Sequence, residues 1–245
     1  MVTLSREHDP GAPFVTYYDA STGERTELSS TSLANWQAKT ANYLRDGLGI
    51  DQGARIALLL PLHWVVPIWL AAARSVGATI ELASATEREG SPDVSVFGPT
   101  AIETPPTGDE LIACSLLPLA QPFPTPLPPG VEDYFSEVRV YADHFLRSAI
   151  APDVPVMTCD GTGLTGDDLA RVAADRASAW NLDSGARLLL TSPDSRAQIG
   201  GCDSLLALYD VPRALGGSVV VVQGFDADAT AEIARQERIT HALTI

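Results

Sequence analysis

Two stretches of this chain, residues 53–82 and 185–222, follow the same pattern of apolar runs and glycines. Each opens with Gly-Ala-Arg before a short apolar run, continues through a segment with helical spacing, and reaches a glycine ahead of a second apolar run. The pattern predicts a strand, a helix and a parallel strand in each copy, because buried parallel strands are apolar on both faces. A doubled unit of this kind predicts two α/β lobes that face each other across a crevice, where such folds usually bind ligands.

We therefore predict an α/β fold of two similar lobes, each a mainly parallel sheet flanked by helices. Residues 1–98 are expected to form the first lobe and residues 156–245 the second. Residues 99–155 are predicted to be a connector and a helix, because half of the 18 prolines lie between Pro99 and Pro129 and proline cannot pair in a central strand. The helix of this connector is expected to place its apolar residues on one face, namely Val131, Tyr134, Phe135, Val138, Ala142 and Phe145.

Several elements have clear sequence signals. Residues 14–18 and 25–28 flank a turn and predict a β-hairpin. Ser29 or Ser30 is expected to cap the following helix, and Gly49 to close it. Further predicted elements are helices over 63–76 and 203–215, strands over 94–97 and 111–114, a helix capped by Thr165 or Gly166, a helix capped by Asp226, and a last strand over 240–245.

Composition excludes several classes of partner. A net charge of −15 disfavours nucleic acid and anionic membrane surfaces, since both are polyanions. No apolar run approaches the roughly 20 residues of a membrane helix, and the first residues lack a signal core, so we expect a cytoplasmic protein.

The three cysteines are widely spaced, which predicts buried free thiols and no metal site. Lys39 is the single lysine and lies opposite the apolar stripe of its helix, so we expect it to face solvent.

Read in order, these segments resemble the N-terminal region of the adenylate-forming superfamily, which includes acyl-CoA synthetases, peptide-synthetase adenylation domains and luciferases. Three of the motifs are Leu-Gly-Ile followed by Gly-Ala-Arg-Ile, Leu-Thr-Gly-Asp-Asp-Leu, and Gly-Gly-Ser-Val-Val. The segments that carry the resemblance are residues 18–24, 33–61, 64–78, 164–169, 216–220 and 237–241. The overall pattern, including residues 128–134, also resembles a small actinobacterial family of shortened relatives without an assigned function.

The resemblance implies a phosphate-binding loop before the helix of the second lobe, rich in Ser, Thr and Gly and ending in Pro-Lys-Gly. That place holds Thr158, Asp160, Gly161, Thr162 and Gly163, with no lysine. A carboxylate about 4 Å from a phosphate charge costs about 1 to 4 kcal/mol, depending on solvent screening. These five residues are therefore candidates for a degenerate phosphate loop or a small polar binding site. The competing interpretation is a tight connecting turn.

Other parts of the family's machinery are also missing from the pattern. The resemblance places an aromatic and histidine segment near residues 191–196, where no histidine occurs, and it places the adenine loop, the acidic ligands and the mobile lid beyond Ile245. We therefore predict a non-catalytic protein without cofactor that serves as a small-molecule-binding or protein-interaction module. The alternative is half of a ligase whose partner chain supplies the missing parts. A partner protein or a second copy is expected to dock at the edge of the C-terminal strand.

Two further motifs admit a functional and a structural interpretation. His63 and Trp64 could be a catalytic histidine with an aromatic wall, or a structural pair at the start of a helix. Asp167 and Asp168 could bind a cation, but paired acids at a helix N-terminus usually serve as capping residues. We favour the structural interpretation of both motifs.

Overall fold

The computed structural model describes residues 9–82, 90–192 and 198–243. The strands are β1 (Pro13–Asp19), β2 (Glu24–Ser29), β3 (Arg55–Leu59), β4 (Thr79–Leu82), β5 (Val94–Phe97), β6 (Glu110–Ala113), β7 (Val131–Asp133), β8 (Met157–Cys159), β9 (Thr162–Leu164), β10 (Arg187–Ser192), β11 (Ser218–Gln223) and β12 (His241–Leu243). The α-helices are α1 (Ser30–Asn42), α2 (Val66–Val76), α3 (Tyr134–Glu137), α4 (Gly166–Ala179), α5 (Cys202–Leu205), α6 (Val211–Leu215) and α7 (Ala227–Gln236). None of these helices has the length and apolar character needed to cross a bilayer.

The strands form two mainly parallel sheets, which confirms the predicted α/β class. The first sheet has the order β12-β10-β11-β1-β2, and β2 runs antiparallel to β1. The second has the order β7-β6-β5-β3-β4-β8-β9, and β9 runs antiparallel to β8. The β1–β2 hairpin belongs to the predicted first lobe, residues 1–98, but it joins the sheet of the predicted second lobe, because β1 pairs with β11. The division of the chain into domains stays a prediction.

The doubled unit of the sequence is present in both sheets. The first copy is β3, α2 and β4, and the second is β10, the helical segment 202–215 and β11, with the two strands of each copy paired in parallel. Equivalent glycines, Gly77 and Gly216, end the two helical segments in the left-handed conformation. The same backbone hydrogen bond then starts each second strand, from Thr79 to Ala54 in one copy and from Ser218 to Ala186 in the other.

One continuous hydrophobic core joins the two sheets through the helices between them. Alternate residues of β1, β3, β10 and β11 enter this core together with the almost wholly buried α2. A smaller core lies on the other face of the first sheet, where Ile233 of α7 covers Leu189, Val220 and Val222. A contact between the two sheets lies just beyond β3, where the Ile199 backbone N–H donates a hydrogen bond to the Leu60 carbonyl.

The predicted helix between residues 131 and 145 is wrong over most of its length. Residues 131–133 form β7, which pairs in parallel with β6, and Asp133 caps a single helical turn. Beyond residue 140 the backbone carbonyls bond to side chains of α1, since Lys39 donates to Tyr141 and Asn42 donates to Ala142. These side chains satisfy carbonyls that a helix would otherwise have bonded internally. Tyr134, Phe135 and Val138 are nevertheless buried, as the pattern predicted.

The other helix predictions hold with smaller changes. Ser29 caps α1 and Thr165 caps α4 through their side chains. The segment predicted as one helix over 203–215 is interrupted by a π-helical turn over Leu206–Asp210, and a similar turn over Tyr43–Gly47 follows α1. The last two residues of the predicted C-terminal strand lie outside the described residues, whereas His241–Leu243 form β12.

The prediction of three free thiols is wrong. Cys159 and Cys202 form a disulfide with Cα atoms 5.6 Å apart, and Cys114 remains a buried free thiol. The two bonded cysteines are 43 residues apart in sequence and meet because α5 begins beside the β8–β9 hairpin. Sequence spacing alone does not reveal such a pair, since their proximity depends on how the two sheets are placed.

Candidate functional site

The predicted phosphate loop is a two-residue β-hairpin. Asp160 and Gly161 form its turn and both have positive φ, at 47° and 76°. Positive φ at both central residues is characteristic of the type I′ turn, for which Asp-Gly is a preferred sequence. Thr158 pairs with Gly163 in the antiparallel ladder, and Cys159 pairs with Thr162. The segment is therefore a tight turn between two paired strands, and its role as a polar binding site stays a prediction.

The hairpin is anchored beside its turn and at its C-terminal end. Cys159, the last residue of β8, is bonded to Cys202 at the start of α5. Beyond β9, Thr165 caps α4 by accepting a hydrogen bond from the Asp168 backbone, and the Asp168 carboxylate accepts bonds from the Thr165 hydroxyl and amide. These bonds hold the pKa of Asp168 below its usual range. The capping interpretation of this acid is confirmed.

The structure separates the five predicted site residues into two groups. Thr158 and Gly163 line a cavity of about 820 Å³ at the base of the hairpin. Asp160, Gly161 and Thr162 are exposed at its tip and do not line the cavity. The cavity also borders β3 and β4, and its remaining lining residues are Gly53, Arg55, Thr79, Glu81, Asp153, Val154 and Pro155.

An ion pair dominates the electrostatics of this cavity. Arg55 Nη2 lies 2.9 Å from Glu81 Oε2, and its Nε also donates to both carboxylate oxygens. The Glu81 side chain is only 5% exposed, and its hydrogen bonds raise the pKa of Arg55. Asp153 adds a second acid to the lining, and Asp93 accepts the Arg55 backbone N–H. Among the described residues, Arg55 is the single lining cation and is already matched by acids, which disfavours a polyanionic ligand.

His63 and Trp64 lie in a separate buried cluster just before α2. The Trp64 indole donates to Glu24 Oε1 at 3.1 Å, and the His63 ring packs 4.5 Å from the Tyr17 ring. Burial lowers the pKa of His63 to about 3, so its imidazole is neutral. His63 Nδ1 accepts the backbone N–H of Val65, which orients the ring. The cluster is buried among core residues, and this position supports the structural interpretation of His63 and Trp64.

Sequence reasoning did not identify Glu81 or Asp153 as lining residues. Glu81 had a usable signal, because it is an acid between Ile80 and Leu82 in an apolar strand, and a buried carboxylate needs a partner. Asp153 had none, since it lies between Val140 and Met157 in a stretch without helix or strand, whose path is set by tertiary contacts. The predicted aromatic and histidine segment falls partly on residues 193–197, which lie outside the described residues. In the described ranges, no three His, Cys, Asp or Glu side chains form a group that could hold a metal ion.

Comparisons with known proteins identify the family. No family model matches the chain. A TIGR03089 family protein of Mycobacterium tuberculosis (strain ATCC 25618 / H37Rv) is 34% identical over 249 residues, covering 96% of this chain and 93% of the relative. The chain belongs to the TIGR03089 family. This result confirms the resemblance to a small actinobacterial family.

Solved structures show that this TIGR03089 family member has the fold of adenylate-forming enzymes. Apo MatB from Rhodopseudomonas palustris matches 96% of the chain with a TM-score of 0.69 and 15% identity. An acyl-CoA synthetase from Brucella canis matches 96% with a TM-score of 0.74 and 17% identity. The chain spans 46% and 44% of these two proteins, which is less than half of their length. At these identities the likeness establishes the fold alone.

Proposed function

We propose that this TIGR03089 family member is a non-catalytic relative of adenylate-forming enzymes that binds a small molecule in the cavity at the base of the β8–β9 hairpin. The observation that carries the proposal is the Asp160-Gly161 turn at the place of the phosphate loop. A two-residue turn offers no run of free backbone amides to surround a triphosphate, because the flanking residues pair in the β8–β9 ladder. The exposed Asp160 carboxylate repels phosphate in addition.

The chemistry of the cavity supports a ligand class different from a nucleotide. Its lining combines the Arg55–Glu81 pair with the acid Asp153 and the hydroxyls of Thr79 and Thr158. Carboxylates accept hydrogen bonds and hydroxyls both donate and accept them, so this lining suits neutral or cationic polar molecules. A volume of about 820 Å³ is within the range of roughly 300–1,000 Å³ that small-molecule sites occupy. We therefore infer a neutral or cationic polar ligand.

An ATP–pyrophosphate exchange assay tests the catalytic part of the proposal. The purified chain is assayed across a panel of carboxylic acids, with an active acyl-CoA synthetase as the positive control. We expect exchange at the level of the buffer blank for every acid. The non-catalytic assignment would be contradicted by exchange that requires both the chain and one particular acid and that persists after further purification.

A thermal-shift screen tests the binding part. Free amino acids, amides and sugars are compared with ATP, AMP and coenzyme A, since a ligand at a hundred times its dissociation constant stabilises by about 2.7 kcal/mol. Any hit is repeated with Thr158→Val, which alters the cavity lining, and with Thr162→Val, which alters the exposed side of the same hairpin. We expect only the first variant to lose the shift. Equal shifts in both variants would place the ligand elsewhere.

A second function, that of a partial ligase completed by another chain, is favoured by the position of β12. This strand lies at the edge of the first sheet and pairs with β10. An edge strand presents unpaired backbone groups to an incoming strand. Co-purification from the native host, followed by exchange assays on the complex, separates the two functions. A stable partner that confers exchange activity would favour the ligase, whereas the lone chain or its homodimer would favour the binding module.

A further inference from the structure

A second cavity, of about 370 Å³, lies between α1 and the backbone segments 118–120 and 138–140. It shares no lining residue with the cavity at the hairpin, and it carries Lys39 and Arg139 together. Two cations at one cavity are unexpected in a chain with a net charge of −15 and a single lysine. We propose that this second cavity binds a small aromatic carboxylate. The proposal concerns other residues than the proposed function and does not depend on it.

Both cations are held in place by neutral acceptors. Lys39 Nζ donates to the Tyr141 carbonyl at 2.6 Å, and Arg139 Nη2 donates to the Ala120 carbonyl. Within the described ranges, neither side chain forms an ion pair with a carboxylate. Lys39 is half-buried, and part of its side chain faces solvent at the cavity. Two positioned and uncompensated charges favour an anion, and the remaining N–H groups of Arg139 suit the two oxygens of a carboxylate.

The wall beside these cations is aromatic and rigid. The Trp36 ring packs against Trp64 with centroids 6.2 Å apart, and it meets Phe135 edge to face at 6.0 Å. Trp36 is half-buried, and it also lines the cavity. The exposed side chain of Leu119 lines the same cavity. A flat ring that contacts an indole and an aliphatic side chain gains stacking and apolar burial, so the anion should carry an aromatic body.

The backbone of residues 119–120, which also line the cavity, has an unusual conformation. Leu119 and Ala120 have φ values of 60° and 54°, in the left-handed region that residues other than glycine rarely adopt. This conformation directs the Ala120 carbonyl to Arg139, and it leaves the Leu119 side chain at the cavity instead of in the core. Such conformations persist only where surrounding contacts enforce them, and they concentrate at binding sites. Ser115 contributes one such contact by donating to the Gln121 carbonyl.

Isothermal titration calorimetry with indole-3-carboxylate and benzoate tests the proposal on the full chain. The neutral control is indole-3-carboxamide, and the matched protein control is Arg171→Gln, which removes an exposed cation on α4. We expect saturable binding of one acid per chain, at least tenfold tighter than the amide. Arg139→Gln and Lys39→Gln should each weaken the acid at least tenfold, Trp36→Leu should weaken it similarly, and Arg171→Gln should change it less than twofold.

Several results would overturn the proposal. These are the absence of saturable binding by both acids, equal affinity for acid and amide, wild-type affinity in Arg139→Gln, or equally tight binding of inorganic phosphate. The last result would mean that the aromatic wall plays no part. Circular dichroism checks that each variant is folded. If Lys39→Gln does not fold because the Tyr141 contact is lost, the Arg139→Gln titration and the comparison of acid with amide still test whether the cavity binds a carboxylate.

Discussion

Cys159 on β8 and Cys202 at the start of α5 are joined by a disulfide that closes a loop across 43 residues. The bond attaches the strand leading into the Asp160-Gly161 turn to the helical segment of the second β-α-β copy. The bond fixes the residue that precedes the turn at the start of α5. Together the disulfide and the strand pairing define the conformation of residues 158–163 within the fold shared with the acyl-CoA synthetase.

Replacing both Cys159 and Cys202 with serine is expected to lower the free energy of unfolding by about 2–4 kcal/mol, because the unfolded chain regains the entropy of a long open loop. Urea unfolding followed by circular dichroism measures the change. Adding dithiothreitol to the wild type should have a similar effect, and adding it to the double variant should have none. An unchanged midpoint for the reduced wild type would contradict the prediction.

Gly161→Ala is expected to destabilise the protein by about 1–2 kcal/mol, because an L side chain is strained at a φ of 76°. No atom lies within 4 Å of the added methyl group, so the cost arises from the backbone and not from a clash. Gly166→Ala is the matched control, since that glycine has the same open surroundings and no positive φ. Thermal unfolding of the two variants gives the comparison, and equal midpoints would argue against a left-handed turn.

Glu81→Gln is expected to destabilise by about 1–3 kcal/mol, because it weakens the hydrogen bonds of a buried carboxylate to Arg55. The control is Glu232→Gln on α7, whose pair with Arg235 is exposed and should contribute below about 1 kcal/mol. Chemical unfolding at neutral pH measures both variants. If Glu81→Gln proved as mild as the control, the pair at the cavity would have no structural role.

Acidification is expected to destabilise the fold through His63. Burial lowers the pKa of His63 to about 3, so below pH 6.5 the unfolded chain binds a proton that the folded chain does not. Stability should therefore fall as the pH drops from about 6.5 towards 3, by up to about 1.4 kcal/mol per pH unit. Burial raises the pKa of Glu24, which contacts the adjacent Trp64, and this acid contributes with the opposite sign.

Urea unfolding between pH 7.5 and 5.0 measures this dependence, in a range where most carboxylates stay ionised. His63→Gln should flatten the profile, because the variant has no imidazole to protonate in the unfolded chain. His144→Gln should leave the profile unchanged, since the His144 side chain is exposed. A profile that is equally steep in His63→Gln would contradict a neutral buried imidazole.

The sequence predicted those parts of the fold that depend on local patterns. The two β-α-β copies, the glycines that end their helical segments and the caps Ser29 and Thr165 all have short-range signals, and all are confirmed. The hairpin turn was one of two stated interpretations, because Asp-Gly suits both a turn and a polar loop. The pairing of Thr158 with Gly163 shows the turn, whereas ligand binding by these residues stays a prediction.

Features that depend on distant contacts were not predictable in this way. The disulfide requires that α5 lies beside β8. The predicted connector helix does not continue beyond residue 140, because Lys39 and Asn42 donate hydrogen bonds to the backbone carbonyls of residues 141 and 142. The placement of β1 beside β11 likewise joins residues about 200 positions apart, as Val15 opposite Val219 shows. For these features the apolar pattern is compatible with several pairings, and only the packing of the whole chain selects one.

The proposed function requires that residues 158–163 hold no nucleoside triphosphate. Isothermal titration of the oxidised, full chain with ATP and excess magnesium tests this requirement most directly. We expect no saturable heat up to millimolar nucleotide. One-to-one binding at micromolar concentrations, lost when Gly161 and Gly163 are both replaced by valine but kept in Thr31→Val, would contradict it.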